Sequence, residues 1–262
     1  MKRLLALSLL VTLAATACGK SGSNQGLARL DQVGFVSQAA AASVSQKTAK
    51  LAMTETVTPS SGQGTLSINA TGAVDFVKKV FEIKADFPAQ MGLSGSIEMI
   101  LSGKTMYMQI PEAVRAAAGV SKPWLGMNLG SLGGSLGNST FADPSTTLEA
   151  LRSVASSVTK VGDLTIRGVK TTKYAVALDL TKVAAKVPAA YRAQMSQLKF
   201  DRMDVYISDD NLVRRESFTF GAQAVSISAN MDFYDYGSAV NVSVPPASQV
   251  EFKSLQDLMS GK

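Results

Sequence analysis

Few residues of this chain are equipped for chemistry. Two pairs of carboxylates stand close in sequence, Asp209 with Asp210 and Asp232 with Asp235. Paired carboxylates suit acid–base work such as glycoside hydrolysis when they flank a cleft. Asp209-Asp210 instead separates two alternating runs, where solvated turn residues are normal. Asp232 and Asp235 bracket Phe233-Tyr234 on a strand, where an exposed edge accounts for them. The chain has no histidine, which removes Ser-His-Asp and Cys-His catalysis and the ordinary histidine metal sites. The glycine-rich stretch 130–138 (GSLGGSLGN) lacks the Gly-Lys-Ser/Thr ending and the strand–turn–helix setting of a phosphate cradle, so it reads as a loop. No enzymatic activity, cofactor or metal is expected.

The one cysteine has a specific setting. Lys2 and Arg3 precede the apolar run 4–13, which is too short to span a membrane, and Ala15-Thr16-Ala17-Cys18 follows. A basic start, a short apolar stretch and small residues before cysteine resemble a bacterial lipobox, whose cysteine is acylated after cleavage. Residues 1–18 are therefore expected to be a lipoprotein signal ending at the lipidated Cys18. Each buried CH₂ of such a chain contributes about 0.8 kcal/mol to membrane attachment. Residues 19–29, beginning Gly-Lys-Ser-Gly-Ser, read as a flexible tether. Removing Lys2 and Arg3 lowers the chain's net charge from +6 to +4. There is no dense basic run or aromatic ladder for nucleic acid. With Cys18 lipidated no disulfide is available, so residues 30–262 must be held together by an apolar core, for which a single domain of this length suffices.

The third chemical signal is apolar. Met91, Met99, Met106, Met108 and Met127 are five of the chain's eleven methionines. Unbranched thioethers repack around irregular apolar ligands, and they also fill ordinary cores. Trp124 is expected as a core anchor or a cavity wall.

The elements that position these residues follow from periodicity. Residues 30–50 carry Val33, Val36, Ala40 and Val44 at helical spacing. Strands are expected at 51–58, 65–71 and 80–87. In the last of these Phe81, Ile83, Ala85 and Phe87 oppose Glu82, Lys84 and Asp86, the pattern of a sheet apolar on one side and wet on the other. A hairpin over 95–110 turns at Ser102-Gly103-Lys104, with Met99 and Leu101 on one strand facing as Met106 and Met108 do on the other. A short helix at 112–118 and a strand from Trp124 follow. Asp143-Pro144 starts a helix that uses Leu148, Leu151, Ala155 and Val158. Strands resume from Leu164 around Arg167-Gly168, and a helix over 180–198 is broken at Pro188. A hairpin over 202–220 contributes Val205 and Ile207. A long strand over 224–236 contributes Ile227 and Met231, and a last strand is expected at 240–244. The expected architecture is α+β: one large antiparallel sheet of ten or eleven strands curled around helices on its apolar side.

The motifs GKTMYMQIP, KPWLGMNL, GVKTTKYAVALDL and VNVSVPPASQV, in this order behind a lipobox, resemble the actinobacterial LppX/LprG-type lipoproteins of the LolA-like superfamily. The resemblance implies a half-open β-barrel whose concave face packs on helices, with room between for the acyl chains of glycolipids or phospholipids. It implies a carrier, or displayer, of lipid in the cell envelope, anchored to the membrane through Cys18 on the extracytoplasmic face, with an envelope transporter as a further partner. No catalytic residue comes with it. The alternation pattern nominates Phe81, Ile83, Met99, Met106, Met108, Met127, Val205, Ile207, Ile227 and Met231 as acyl-chain contacts, and Lys78, Lys79, Lys104 and Lys122 as rim contacts. The alternative is a non-enzymatic envelope interaction or sensor module with a filled core.

Overall fold

The computed structural model describes residues 23–59, 64–86, 96–115, 119–129, 155–179, 181–182, 198–222 and 225–254. The signal segment with Cys18, Met91, the glycine-rich loop, the helix start at Asp143-Pro144 and most of the helix over 180–198 lie outside them.

The chain opens with helix α1 (Ser23–Ser45) and continues through strands β1 (Thr48–Pro59), β2 (Leu66–Asp75), β3 (Val80–Asp86), β4 (Ser96–Ser102) and β5 (Thr105–Gln109). A single helical turn, α2 (Glu112–Arg115), leads to β6 (Trp124–Asn128). The second half is β7 (Ala155–Ile166), β8 (Val169–Leu178), β9 (Leu198–Ser208), β10 (Val213–Ala222) and β11 (Val225–Tyr234), closed by β12 (Val250–Phe252). All twelve strands form one sheet in the order β12-β6-β5-β4-β3-β2-β1-β11-β10-β9-β8-β7. Each half is a meander of neighbouring antiparallel strands. The halves join where β1 pairs with β11, from Lys50–Tyr234 to Pro59–Val225.

Local chemistry explains the corners. Arg167 and Gly168 both take positive φ (47° and 83°), which matches the twist of a two-residue hairpin. The 95–110 hairpin forms with Met99 opposite Met108 and Leu101 opposite Met106. Helix α1 lays Val36 and Ala39 on Val158, Val176, Val205, Ile207 and Val213, which makes the largest packed cluster under the sheet. Its C-terminal end is tied down by Ser43, whose hydroxyl donates to the Ala39 carbonyl (2.9 Å) and accepts the Val213 N–H (2.9 Å).

Several expectations need correction. Helix α1 ends at Ser45, not Lys50, because Lys47 turns the chain with φ of 71°, and it begins at Ser23, inside the stretch read as tether. Ala155 and Val158 belong to a strand rather than a helix. Ser156, Ser157, Val158 and Thr159 favour extended backbone, and β7 pairs with β8 along its length. Leu198 opens β9 instead of ending a helix. Residues 240–244 form no strand. The last strand among the described residues is β12, and it runs parallel to β6, so the sheet is mixed rather than wholly antiparallel. Among the described residues a single long helix packs on it.

The outer face also departs from a simple wet surface. Over the first half, Val242 and Val250 pack with Val80, Ile100 and Trp124, so residues 240–250 strap the sheet from outside. Trp124 is thus a core anchor of the strap and not a cavity wall. Lys122 is spent on the same strap, donating to the Val250 carbonyl (2.9 Å), and Ser121 donates to Glu251 through both N–H and hydroxyl (2.7 Å each). Gly126 lets the strap approach, since a Cβ there would sit 2.7 Å from the Phe252 ring. Over the second half the outer face is held by charge. Lys173 pairs with Asp204 (2.7 Å), and Arg215 grips Asp232 with two nitrogens, the longer contact at 3.0 Å. Arg167 stacks over Tyr234 at 4.1 Å.

Candidate functional site

The inner face carries a cavity of about 380 Å³. Met53 of β1, Val74 and Phe76, Phe81 and Ile83 of β3, Met99 and Leu101 of β4, and Met106 of β5 line one side. Val213 and Glu216 of β10, Met231 and Phe233 of β11, and Tyr236 line the other, with Ala40 and Ser43 of α1 and Leu129 completing the wall. Strands β5 and β10 are six steps apart in the sheet order, which on a flat sheet would be about 29 Å at roughly 4.8 Å per step. One cavity of this volume touches both only because the sheet curls around it.

Five of the ten nominated contacts line this cavity: Phe81, Ile83, Met99, Met106 and Met231. The other five sit elsewhere. Met108 and Met127 pack beside Ile110, Val120 and Leu125, next to Met106 on the same face. Val205 and Ile207 are buried beneath α1. Ile227 shares the inner strand face with Met231 but lies farther along β11, opposite Phe220 and Val57. Alternation identifies a face and leaves open which part of that face is filled by the helix. Of the nominated rim lysines, Lys78 pairs with Asp75 (3.2 Å) and Lys122 holds the strap.

The carboxylates of the two sequence pairs lie in ion pairs and turns. Asp210 pairs with Arg214 and Ser208, Asp232 with Arg215 and Arg167, and Asp235 with Lys50 at 2.8 Å. Asp209 is exposed in its turn. No cluster of three metal-capable side chains occurs among the described residues.

The feature that the sequence reading missed is Glu216. It lies between Val205 of β9 and Met231 of β11 in register. A bulge between Val213 and Arg215 shifts the parity of β10, so that Val213 and Glu216 both reach the cavity while Arg215 points outward to Asp232. The side chain is half-buried and borders the cavity. Burial pushes its pKa up to about 7. It makes no hydrogen bond or ion pair among the described residues. Its polar neighbours are already engaged: Ser43 as above, and Tyr236, whose hydroxyl donates to the Val213 carbonyl. Burial holds the Tyr236 phenol well above its ordinary range, against the pull of Ser43 and of Arg214, whose guanidinium is 5.4 Å from the ring. A signal for Glu216 was present in the sequence. Glu216 alternates in phase with Phe218 and Phe220, and out of phase with Arg215, Ser217 and Thr219.

No protein-family model matches the sequence, and neither does any curated protein. Solved structures do. The lipoprotein LppX of Mycobacterium tuberculosis is similar at 15% identity over 82% of this chain and 99% of that chain, with a TM-score of 0.49. LprF from Mycobacterium bovis is similar at 13% identity over 82% and 97% of the two chains, with a TM-score of 0.43. A LolA superfamily protein from Nitrosomonas europaea is similar at 8% identity over 78% and 91%, with a TM-score of 0.35. The LppX-type lipoproteins and the LolA superfamily, to which the sequence motifs bear a resemblance, thus both recur among the solved structures similar to this chain.

Proposed function

We propose that the protein is an envelope lipoprotein, anchored through Cys18 on the extracytoplasmic face, that carries the acyl chains of a lipid or glycolipid between its helix and its curled sheet. The observation that carries this reading is the apolar cavity, walled by methionine and phenylalanine from both halves of the sheet. Its volume of about 380 Å³ falls at the lower end of the roughly 300–1,000 Å³ of ligand sites. Binding would be driven by removing the chain from water, at about 25 cal/mol per Å² of apolar surface. Met53, Met99, Met106 and Met231 give the wall side chains that repack around different chains. The sequence motifs at Cys18 support delivery at a membrane surface, with a transporter of the envelope as the further partner.

Organic extraction of the purified protein should release a lipid, and a pair of substitutions tests where it sits. Met106→Trp puts an indole into the cavity. Native mass spectrometry should show lower lipid occupancy, while the thermal midpoint hardly moves. Met108→Trp, in the packed cluster alongside, should overpack and destabilise by about 1–3 kcal/mol. A parent that carries no lipid, together with equal destabilisation by both variants, would overturn the carrier reading in favour of a filled-core interaction module.

A further inference from the structure

Among the described residues Glu216 is the one carboxylate lining the apolar cavity, and no described lysine, arginine or histidine joins it there. Its carboxyl is half-buried against apolar side chains with no protein partner among the described residues, a costly setting that native structures rarely retain without use. We propose that Glu216 is the polar anchor of the cavity, hydrogen-bonding a neutral hydroxyl or carbonyl group borne on an otherwise apolar ligand. This rests on the carrier reading and adds the chemical class of ligand to it.

The partner's class follows from what the wall supplies. An anionic group would meet a carboxyl and no counter-ion, since Ser43 and Tyr236 already spend their hydroxyl protons on the Ala39 and Val213 carbonyls. A cationic group would have to leave water for a single carboxylate, an exchange in which desolvation consumes most of the Coulombic gain. A neutral hydroxyl or carbonyl loses far less hydration than an ion, and one hydrogen bond to the carboxyl offsets that loss. It completes the hydrogen bonding of a protonated carboxyl, which both donates and accepts. The position fits a chain threaded inward. Glu216 sits on the β10–β11 side, in register with Met231, and Met99, Leu101 and Met106 line the β4–β5 side of the same cavity. An apolar tail would run toward the methionines of β4 and β5 while its polar group stays at β10. Glu55, the acid on the inner-facing register of β1 two residues beyond Met53, does not line the cavity.

The test compares four C14 probes on the delipidated full chain at about pH 6: tetradecane, 1-tetradecanol, myristate and tetradecylammonium, each delivered from cyclodextrin. The wild type should bind 1-tetradecanol about tenfold more tightly than tetradecane, the worth of one buried hydrogen bond, and more tightly than either ion. Glu216→Leu should lose the preference for the alcohol while still binding tetradecane, and Glu216→Gln, whose amide donates and accepts, should restore it. Equal affinity of the wild type for alcohol and alkane would overturn the anchor and leave the carrier reading standing. Tighter binding of tetradecylammonium would replace the neutral partner by a cation and overturn the proposal as stated. Failure of every probe to bind the wild type would overturn both.

Discussion

Between about pH 5 and pH 8 the wild-type fold is expected to lose stability that a Glu216→Gln variant keeps. The Glu216 carboxyl has its pKa raised from 4.5 to about 7 by burial. The folded state therefore holds this proton where the unfolded chain releases it. Its contribution is whole below pH 4.5, falls as pH rises toward 7, and is flat above that. Each pKa unit is 1.36 kcal/mol, so the full swing is about 3 kcal/mol. Other carboxylates act in the opposite direction and lower down. Asp75 is held below its ordinary range, first by the Lys78 N–H, and Asp179 first by the Thr181 hydroxyl. Their stabilisation is present at neutral pH and lost on acidification, so it does not fall in the same window. Glutamine keeps the shape and removes the proton. Urea unfolding of both proteins at about pH 5 and pH 8 should give curves that converge in acid, with the variant more stable in base by about 2–3 kcal/mol. Parallel behaviour at both pH values would mean that the Glu216 carboxyl is well solvated.

Trp124→Ala is expected to cost the larger amount, about 3–5 kcal/mol, in line with truncation of buried tryptophans elsewhere. The indole is 8% exposed and packs on four residues of three elements: Val80 of β3, Ile100 of β4, and Val242 and Val250 of the strap. Its loss should also free the strap, because β12 pairs with only three residues of β6, Val250 opposite Trp124 through Phe252 opposite Gly126. Chemical unfolding gives the free energy, and hydrogen exchange at Lys253 N–H, which donates to the Gly126 carbonyl at 3.1 Å, reports the strap separately. A loss under 1 kcal/mol, with Lys253 still protected, would mean that the strap is held by its backbone ladder alone.

Much of the sheet was legible because one of its faces is apolar. The alternation of Phe81, Ile83, Met99, Leu101 and Met106 marks the inner face without ambiguity, and glycine or aspartate marks the turns. Ala155 and Val158 were misread because a four-and-three spacing of apolar residues suits a helix while the intervening Ser and Thr suit a strand, and pairing with β8 decided between them. The strap was misread because Val240–Val242 alternates like a strand but buries Val242 against Trp124 instead of joining a ladder. Half of the nominated contacts missed the cavity because the inner face is shared. Its β7–β9 part, with Val205 and Ile207, is taken by α1, and only the part beyond the helix is hollow. Glu216 is in phase with Phe218 and Phe220, but counting by twos from Val213 puts Arg215 inside, and the bulge in β10 decides between the two phases.

The pairing of β1 with β11 has a bearing on how this chain comes into being. Lys50 and Tyr234 are opposite each other in the centre of the sheet, yet they stand 184 positions apart in a chain of 262 residues. Each meander assembles from contacts local in sequence, whereas the join between them waits for the penultimate strand and closes a very long loop. Helix α1, emerging first, finds its seat on Val158, Val176 and Val205 only after the second half exists. Until the second half is in place the amino-terminal meander therefore has an open β1 edge and an uncovered methionine face. Such an intermediate is of the aggregation-exposed kind, and the exposure ends only when the two halves zip together along β1 and β11.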